Sequence, residues 1–409
     1  MINTHVHADF VAGHLELAHA TGAWIGYGAV AAPKAEFDVR PLRHGDHISL
    51  GEVDLEILET PGHTWESISV LVREHAGDET PAAVLTGDSM FIGAVGRPDL
   101  VVSDGSTAED LAKAMYRTVH EVLLALPDET VVYPAHGAGS ACGKNLSSEL
   151  DSTIGAQRRT NIFVQPMDEA DFVDMVTSGQ PAAPEYFATD AALNLKNLDL
   201  LEPGEDLTPL SPADVRAAVS GGAKIIDTRS PERFATGHLT GSINVGIDGR
   251  FAETCGMVVH EGDELVVVGD LDRVDEAGLR LSRIGFDRTL GYLIEPEESF
   301  VELADLVVTS ERVTVSQMAD LPSDTLILDV RNAGEREDGA IPDSVHVPLA
   351  EIARRHDELP TDRPILVHCA GGWRSSVAAS VLRSEGHREV SDLLGGYGEW
   401  AEAMQPSST

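Results

Sequence analysis

Positive charge is scarce in this chain. Of 409 residues only 29 are Lys or Arg against 68 Asp or Glu, a formal net charge of −39. The acids are spread along the sequence, so the surface repels phosphate backbones and anionic membranes, and nucleic acid is not an expected partner. The simplest source of such acidity is an adaptation to solubility or high salt. Cysteine is scarce too: Cys142, Cys255 and Cys369 are far apart and odd in number, fitting neither a disulfide framework nor a zinc ribbon, so each is expected as a free thiol. Long apolar runs are missing; none approaches the ~18 residues of a membrane span, so no membrane attachment is expected. No basic-then-apolar leader stands at the start, and the expected location is cytoplasmic. What remains is a globular chain, 42% hydrophobic, long enough for roughly two to four domains with separate cores.

The sequence opens MINTHVHADF, in which His5, His7 and Asp9 alternate. Alternation puts three side chains on one side of an extended segment, or on a tight loop at its end, where they can converge as metal ligands. Further short apolar runs, VDLEILET, AAVLTGD and TVVYPAH, end in turns that carry His63, Asp88 and His136. Strand-terminal loops fix ligands while leaving them accessible, so the six positions read as one site. Helices are expected over residues 107–126 and within SSELDSTIGAQRRTN. Three or four His and Asp ligands suit zinc, whereas two His and one carboxylate with open positions suit non-haem Fe(II). Spacing alone does not choose.

A repeat fills the second half. Asp227 to Val245 and Asp329 to Val347 are stretches of 19 residues that each begin Asp-x-Arg after an apolar strand and start 102 residues apart. Each leads to another apolar run, an amphipathic helix pattern and a Gly-Tyr strand exit, TLGYL and LLGGYGEW. That order means two copies of one α/β domain with a largely parallel sheet. Before them, LEPGEDLTPLSP (Leu201 to Pro212) reads as a linker. The expected domains are residues 1–200, 205–300 and 310–409.

In the second copy VHCAGGWRSS puts Cys369 at a strand end just before a helix. Gly371 and Gly372 let the backbone curl, and the N–H groups of Ala370, Gly371, Gly372, Trp373 and Arg374, with the Arg374 side chain, form an expected anion cradle for a thiolate or persulfide. Cys369-x4-Arg374 is one residue tighter than a Cys-x5-Arg phosphatase loop, favouring a sulfane sulfur over phosphate. In the first copy the corresponding strand end reads VVVGDLDR and carries no cysteine. Cys255 lies away from that loop and is expected to be structural.

These motifs carry two resemblances. His5-x-His7-x-Asp9 with His63, Asp88 and His136 resembles the metallo-β-lactamase superfamily, whose signature continues with a histidine where this chain has Phe10. The implied fold is an αββα sandwich, its N-terminal strands expected to be missing, followed by two α/β domains that resemble rhodaneses. With Phe10 unable to ligate, a second metal site is expected to be lost. The stretch TGDSMFIGAVGRPDL is similar to the persulfide dioxygenase branch, which implies one Fe(II) per chain on His5, His63 and Asp88, with His7, Asp9 and His136 orienting those ligands. Arg97 is read either as pairing with an acid near its turn or as lining the substrate entrance, and Cys142 either as a sulfur relay or as an inert core residue. Together the resemblances imply a bifunctional enzyme: iron-dependent oxidation of a low-molecular-weight thiol persulfide by O2 to sulfite and thiol, with Cys369 sulfur transfer to or from thiosulfate. The alternatives are a zinc thioester hydrolase resembling hydroxyacylglutathione hydrolase, and a sulfurtransferase or sulfur carrier alone. A homo-oligomer is expected.

Overall fold

The computed structural model describes residues 1–100, 105–137, 140–143, 146–180, 183–201 and 207–404. The chain divides into two compact units, Met1–Ala183 with Phe187–Glu202, and Pro184–Tyr186 with Pro203–Thr409. Residues 202–206 of the expected linker lie outside the described residues.

The first unit begins with α1 (His14–Thr21) and a parallel pair, β1 (Ile25–Gly28) and β2 (Val39–Leu42). Then β3 (His47–Leu50), β4 (Val53–Glu59), β5 (Ile68–Arg73), β6 (Ala83–Gly87), β7 (Val131–Pro134) and β8 (Ser152–Thr153) form one sheet in that order. It is antiparallel except where β6 meets β7. Leu42, Ile48, Ile57, Ile68 and Val70 form one core of this unit, each such side chain contributing ~1.5–3 kcal/mol by leaving water. The remaining helices are α2 (Ala108–Arg117), α3 (Ile154–Thr160), α4 (Glu169–Thr177) and α5 (Tyr186–Leu193).

The helix expected over 107–126 starts where Thr107 and Asp110 make a capping box, satisfying two otherwise orphaned N–H groups. It buries Leu111, Ala112, Ala114 and Met115, then widens to a π turn over Thr118–Val122 and tightens to a 3-10 turn over Leu123–Ala125. Thr118 at that change of pitch donates its hydroxyl to the Pro61 carbonyl at 2.6 Å, tying the helix to the loop that carries His63.

The second unit holds two five-stranded sheets. The first contains β9 (Pro209–Leu210), β10 (Lys224–Asp227), β12 (Ile243–Asn244), β13 (Leu265–Val268) and β14 (Thr289–Leu293), in the order β12-β10-β13-β14-β9. Around it lie α6 (Pro212–Ser220), α7 (Pro231–Thr236), α8 (Phe251–Val258), α9 (Val274–Ser282) and α10 (Pro296–Glu302), while β11 (His238–Leu239) pairs with β15 (Val307–Val308). The second contains β16 (Arg312–Val313), β17 (Leu326–Asp329), β18 (Val345–His346), β19 (Ile365–His368) and β20 (Val390–Leu393), in the order β16-β20-β19-β17-β18. Its helices are α11 (Ala333–Glu337), α12 (Leu349–Arg355), α13 (Trp373–Ser384) and α14 (Gly396–Met404).

Reading one order backwards gives the other, and every named pair within both sheets is parallel. The central β13 is buried at all four positions, as a strand covered on both faces must be. One expected equivalence fails. Gly291 and Tyr292 lie inside β14, whereas Gly396 and Tyr397 open α14 after β20 has ended. The Gly-Tyr pairs match as letters but occupy different positions in the repeat.

Candidate functional sites

The opening motif forms a loop, not a strand, over residues 4–10. It brings His5 and His7 to the strand-end residues His63, Asp88 and His136. From Asp88 Oδ2 the Nε2 atoms of His5, His63 and His136 lie 3.8, 3.5 and 3.5 Å away. His136 Nε2 is also 3.4 Å from Asp9 Oδ2, and His7 Nδ1 is 3.7 Å from Asp9 Oδ1. Three overlapping trios have ligand atoms close enough to share an ion: His5, His63 and Asp88; His7, Asp9 and His136; and Asp88, His136 and Cys142. The first is fully buried.

Burial makes this cluster demanding. His5 Nε2, both Asp88 oxygens, His136 Nε2, His7 Nδ1 and Asp9 Oδ1 are buried without a hydrogen-bond partner, although buried polar groups in folded proteins are almost always paired. Orphans converging on one point fit a cation. The opposite ring nitrogens are already engaged: His63 Nδ1 donates to the Arg97 carbonyl at 2.8 Å and His5 Nδ1 lies 3.0 Å from Thr4 Oγ1. For His63 this fixes the tautomer and leaves Nε2, 3.5 Å from Asp88, as the unprotonated nitrogen. Burial, and then the neighbouring His7, His63 and His136, push the His5 pKa well below its ordinary value, so the ring is neutral and able to ligate. Burial opposes the charged form of Asp9, but His7 and His136 outweigh it and hold its carboxyl below the usual range.

Phe10 packs tilted against His7 with ring centroids 4.3 Å apart, and offers no ligand atom. Arg97 is buried and forks onto Asp99 at 2.9 and 2.7 Å, its other nitrogen reaching toward the Ala141 carbonyl at 3.4 Å. Cys142 is buried beside the cluster, and burial followed by the charges of Asp88 and Asp9 raises its thiol pKa well above the ordinary value.

Two supporting residues carry no sequence signal. Asn194, just past α5, donates to the His7 and Phe10 carbonyls at 2.9 and 2.7 Å and accepts from the Ala12 N–H at 2.7 Å, clamping the motif loop from far along the chain. Glu66 accepts from the Val6 N–H at 3.1 Å. Polar residues of these kinds occur throughout the chain, and only the fold brings these two to the loop.

At the second site β19 delivers Cys369 to the start of the loop before α13. Its thiol is buried, while Ala370 and Gly371 are exposed, Gly372 is buried, and Trp373 and Arg374 are half-buried. The Gly372 N–H donates to Cys369 Sγ at 3.1 Å, and Ser375 Oγ is 3.6 Å from the sulfur. Gly372 has φ +94°, a left-handed conformation that a side chain would strain. Arg374 forks onto Glu335, both contacts at 2.7 Å. Burial disfavours the charge on each, yet the pairing outweighs it, raising the Arg374 pKa and lowering that of Glu335. Beneath the loop Asp329 is held by Arg331 at 2.7 Å and by Arg336 at 3.1 Å, with buried His368 at 3.7 Å. Removing one member of such a buried set costs roughly 3–5 kcal/mol.

The first copy reproduces the Asp–Arg fork, Arg229 to Asp227 at 2.6 Å, but Gly269 occupies the strand end. A Cβ there would fall 2.1 Å from Thr228 Oγ1. Its loop borders a cavity of about 260 Å³ whose lining includes Gly269, Asp270, Glu295, Glu297 and Glu298. Cys255 is buried in α8.

A sheet-based unit with a buried His/Asp cluster, followed along the chain by two parallel α/β repeats of which one bears a loop cysteine, defines a class of fused metal-site and parallel α/β folds. The comparisons narrow it. The family model for the rhodanese-like domain matches residues 211–294 and 314–403. The crystal structure of a metallo-β-lactamase from Staphylococcus aureus subsp. aureus COL is similar at 34% identity with a TM-score of 0.63, over 71% of this chain and 83% of that one. The chain belongs to the metallo-β-lactamase superfamily and carries two rhodanese-like domains. Among curated relatives, a hydroxyacylglutathione hydrolase from Polaromonas sp. is 36% identical over 33% of this chain and 47% of its own length. The mitochondrial persulfide dioxygenase ETHE1 of Homo sapiens is 29% identical over 33% of this chain and 47% of its own length. The chain spans about half the length of the curated relatives it matches. No helix among the described residues is long and apolar enough to cross a membrane.

Proposed function

We propose that the chain is a bifunctional sulfur-oxidation enzyme. In the first unit His5, His63 and Asp88 would hold one Fe(II), which when bound supplies the O2 chemistry that protein side chains lack. The observation that carries this reading is the fully buried His5, His63 and Asp88 trio with the unpaired His5 and Asp88 atoms, beside a phenylalanine that cannot ligate. The chain's own residues orient and enclose: Thr4 and the Arg97 carbonyl hold the imidazoles, Asn194 holds the loop, and burial keeps water from the reacting sulfur. The overall reaction takes R–S–SH, O2 and H2O to R–SH, sulfite and two protons. At the second site the Cys369 thiolate takes a sulfane sulfur, its bond to the donor sulfur breaking as the Cys369 S–S bond forms. Attack by sulfite on the outer sulfur then gives thiosulfate and restores the thiolate. The Gly372 N–H and the N-terminus of α13 stabilise negative charge on sulfur in both steps. One chain carrying both sites raises the local concentration of the species that they share.

A second reading has its own observation. His7, Asp9 and His136 also converge, which suits a zinc thioester hydrolase of the hydroxyacylglutathione hydrolase kind. Metal analysis of protein purified from iron- and zinc-supplemented cultures, followed by thioester cleavage under nitrogen, separates the two. The proposal expects about one iron per chain and no anaerobic cleavage; two zinc ions per chain with oxygen-independent cleavage would replace it with the hydrolase.

A further inference from the structure

The repeat that lacks the cysteine is fastened to the helix that follows the cysteine loop of the other. Asn244 on β12 occupies the place that His346 takes on β18, each paired with the aspartate that ends the adjacent strand, Asp227 or Asp329. Both donate a side-chain N–H to the carbonyl of the following arginine, Asn244 to Arg229 at 2.9 Å and His346 to Arg331 at 2.7 Å. Asn244 also crosses to the second repeat. Its Oδ1 accepts the Ser376 hydroxyl at 2.9 Å, and its backbone N–H donates to Ser380 Oγ at 2.9 Å. The two serines lie one turn apart on α13, and they and Asn244 are buried. Apolar side chains could fill this contact but would permit α13 to slide; hydrogen bonds one turn apart fix its register.

The register matters because the first turn of α13 reaches the sulfur. Ser375, adjacent to Ser376, is 3.6 Å from Cys369 Sγ, and the Gly372 N–H just before the helix is 3.1 Å from it. A second strut runs the same way: Arg312 joins Glu232 of the first repeat, at 2.8 Å, to the Gly372 carbonyl at 3.2 Å.

We propose that Asn244 is a positioning residue for the Cys369 thiol, acting through Ser376 and Ser380 to set the donors of the α13 N-terminus against the sulfur. The repeat whose loop lacks a cysteine is thus the brace of the other. This inference rests on the reading of Cys369 as a reactive thiol. The test is iodoacetamide alkylation of the full chain from pH 5 to 9, followed at the Cys369 peptide by mass spectrometry. Asn244→Ala and the milder Ser376→Ala are compared with Val266→Ala, which cuts the core of the first repeat without touching the bridge. Both bridge variants should slow alkylation at pH 7 about 3–10-fold and move the profile to higher pH, the size expected for one displaced hydrogen bond. Val266→Ala should lower Tm and leave the profile in place. Unchanged profiles in both bridge variants, or an equal shift in Val266→Ala, would overturn the proposal while leaving Cys369 reactive. A wild-type Cys369 no more reactive than a free thiol would overturn the sulfurtransferase reading and the brace with it.

Discussion

The repeat around Asp227 and the repeat around Asp329 share a strand order, an aspartate–arginine fork and a strand-to-helix loop, but one loop begins Gly269-Asp270-Leu271-Asp272 and the other Cys369-Ala370-Gly371-Gly372. In the first, Asp270 is paired with Arg233 at 2.6 Å, and Arg233 reaches Glu297 at 2.5 Å, so its cation is spent among acids. In the second, the loop is neutral up to Arg374 and a backbone N–H points at the sulfur. On the proposed reading, the shared frame is a scaffold that does not itself confer reactivity. What the second loop adds is a thiol, the lack of carboxylates, and donors held in register.

The largest expected effect comes from Cys369→Ser, which should remove sulfur transfer by at least ~10³-fold, because the corresponding loop of the first repeat carries no cysteine and Cys255 is buried in α8; transfer from a thiol persulfide to sulfite measures it. Next is Arg374→Lys. An ammonium cannot reproduce the fork onto Glu335, so kcat/KM for transfer should fall about 10–100-fold, and a loss below twofold would make the fork a surface pair of little consequence.

Gly269→Cys sharpens the comparison in the other direction. The added Cβ would meet Thr228 Oγ1 at 2.1 Å, so the variant should lose ~1–3 kcal/mol in urea unfolding through overpacking. The thiol introduced there, beside Asp270, should alkylate no faster than a free cysteine. Rapid alkylation would mean that the frame alone activates a thiol.

The smallest effect is on pH dependence. His238 in the first repeat is buried, donates to the Phe234 carbonyl at 2.9 Å, and burial lowers its pKa to about 4. The unfolded ring titrates near 6.5, so between pH 6.5 and 4 the unfolded state binds more protons and stability falls as pH falls. The contribution is fully present above 6.5, and its loss, at most ~3 kcal/mol, is complete below about 4. Urea midpoints from pH 7 to 4 should fall less steeply in His238→Asn; equal slopes would assign the acid sensitivity elsewhere.

The fold was largely legible because its signals are local. Asp-x-Arg after KIID and LILD marks the repeat, and apolar runs ending in His63, Asp88 and His136 mark strand ends that meet. Reading TLGYL and LLGGYGEW as equivalent went astray because a letter match ignores register: Gly291 is mid-strand and Gly396 opens a helix. The shapes of the sites were less legible. The sequence could mark Arg374 as a cation near the thiol, but not that Glu335 occupies its fork. Asn194 and Asn244 were invisible, since each acts through partners more than a hundred residues away and neither belongs to a motif.

The most direct test of the account is oxygen uptake by Fe(II)-loaded full-length protein on adding glutathione persulfide, in wild type, His63→Ala and Cys369→Ser. Uptake is expected in wild type and Cys369→Ser and its loss in His63→Ala, with sulfite as product. No uptake in wild type, or uptake that survives His63→Ala, would contradict it.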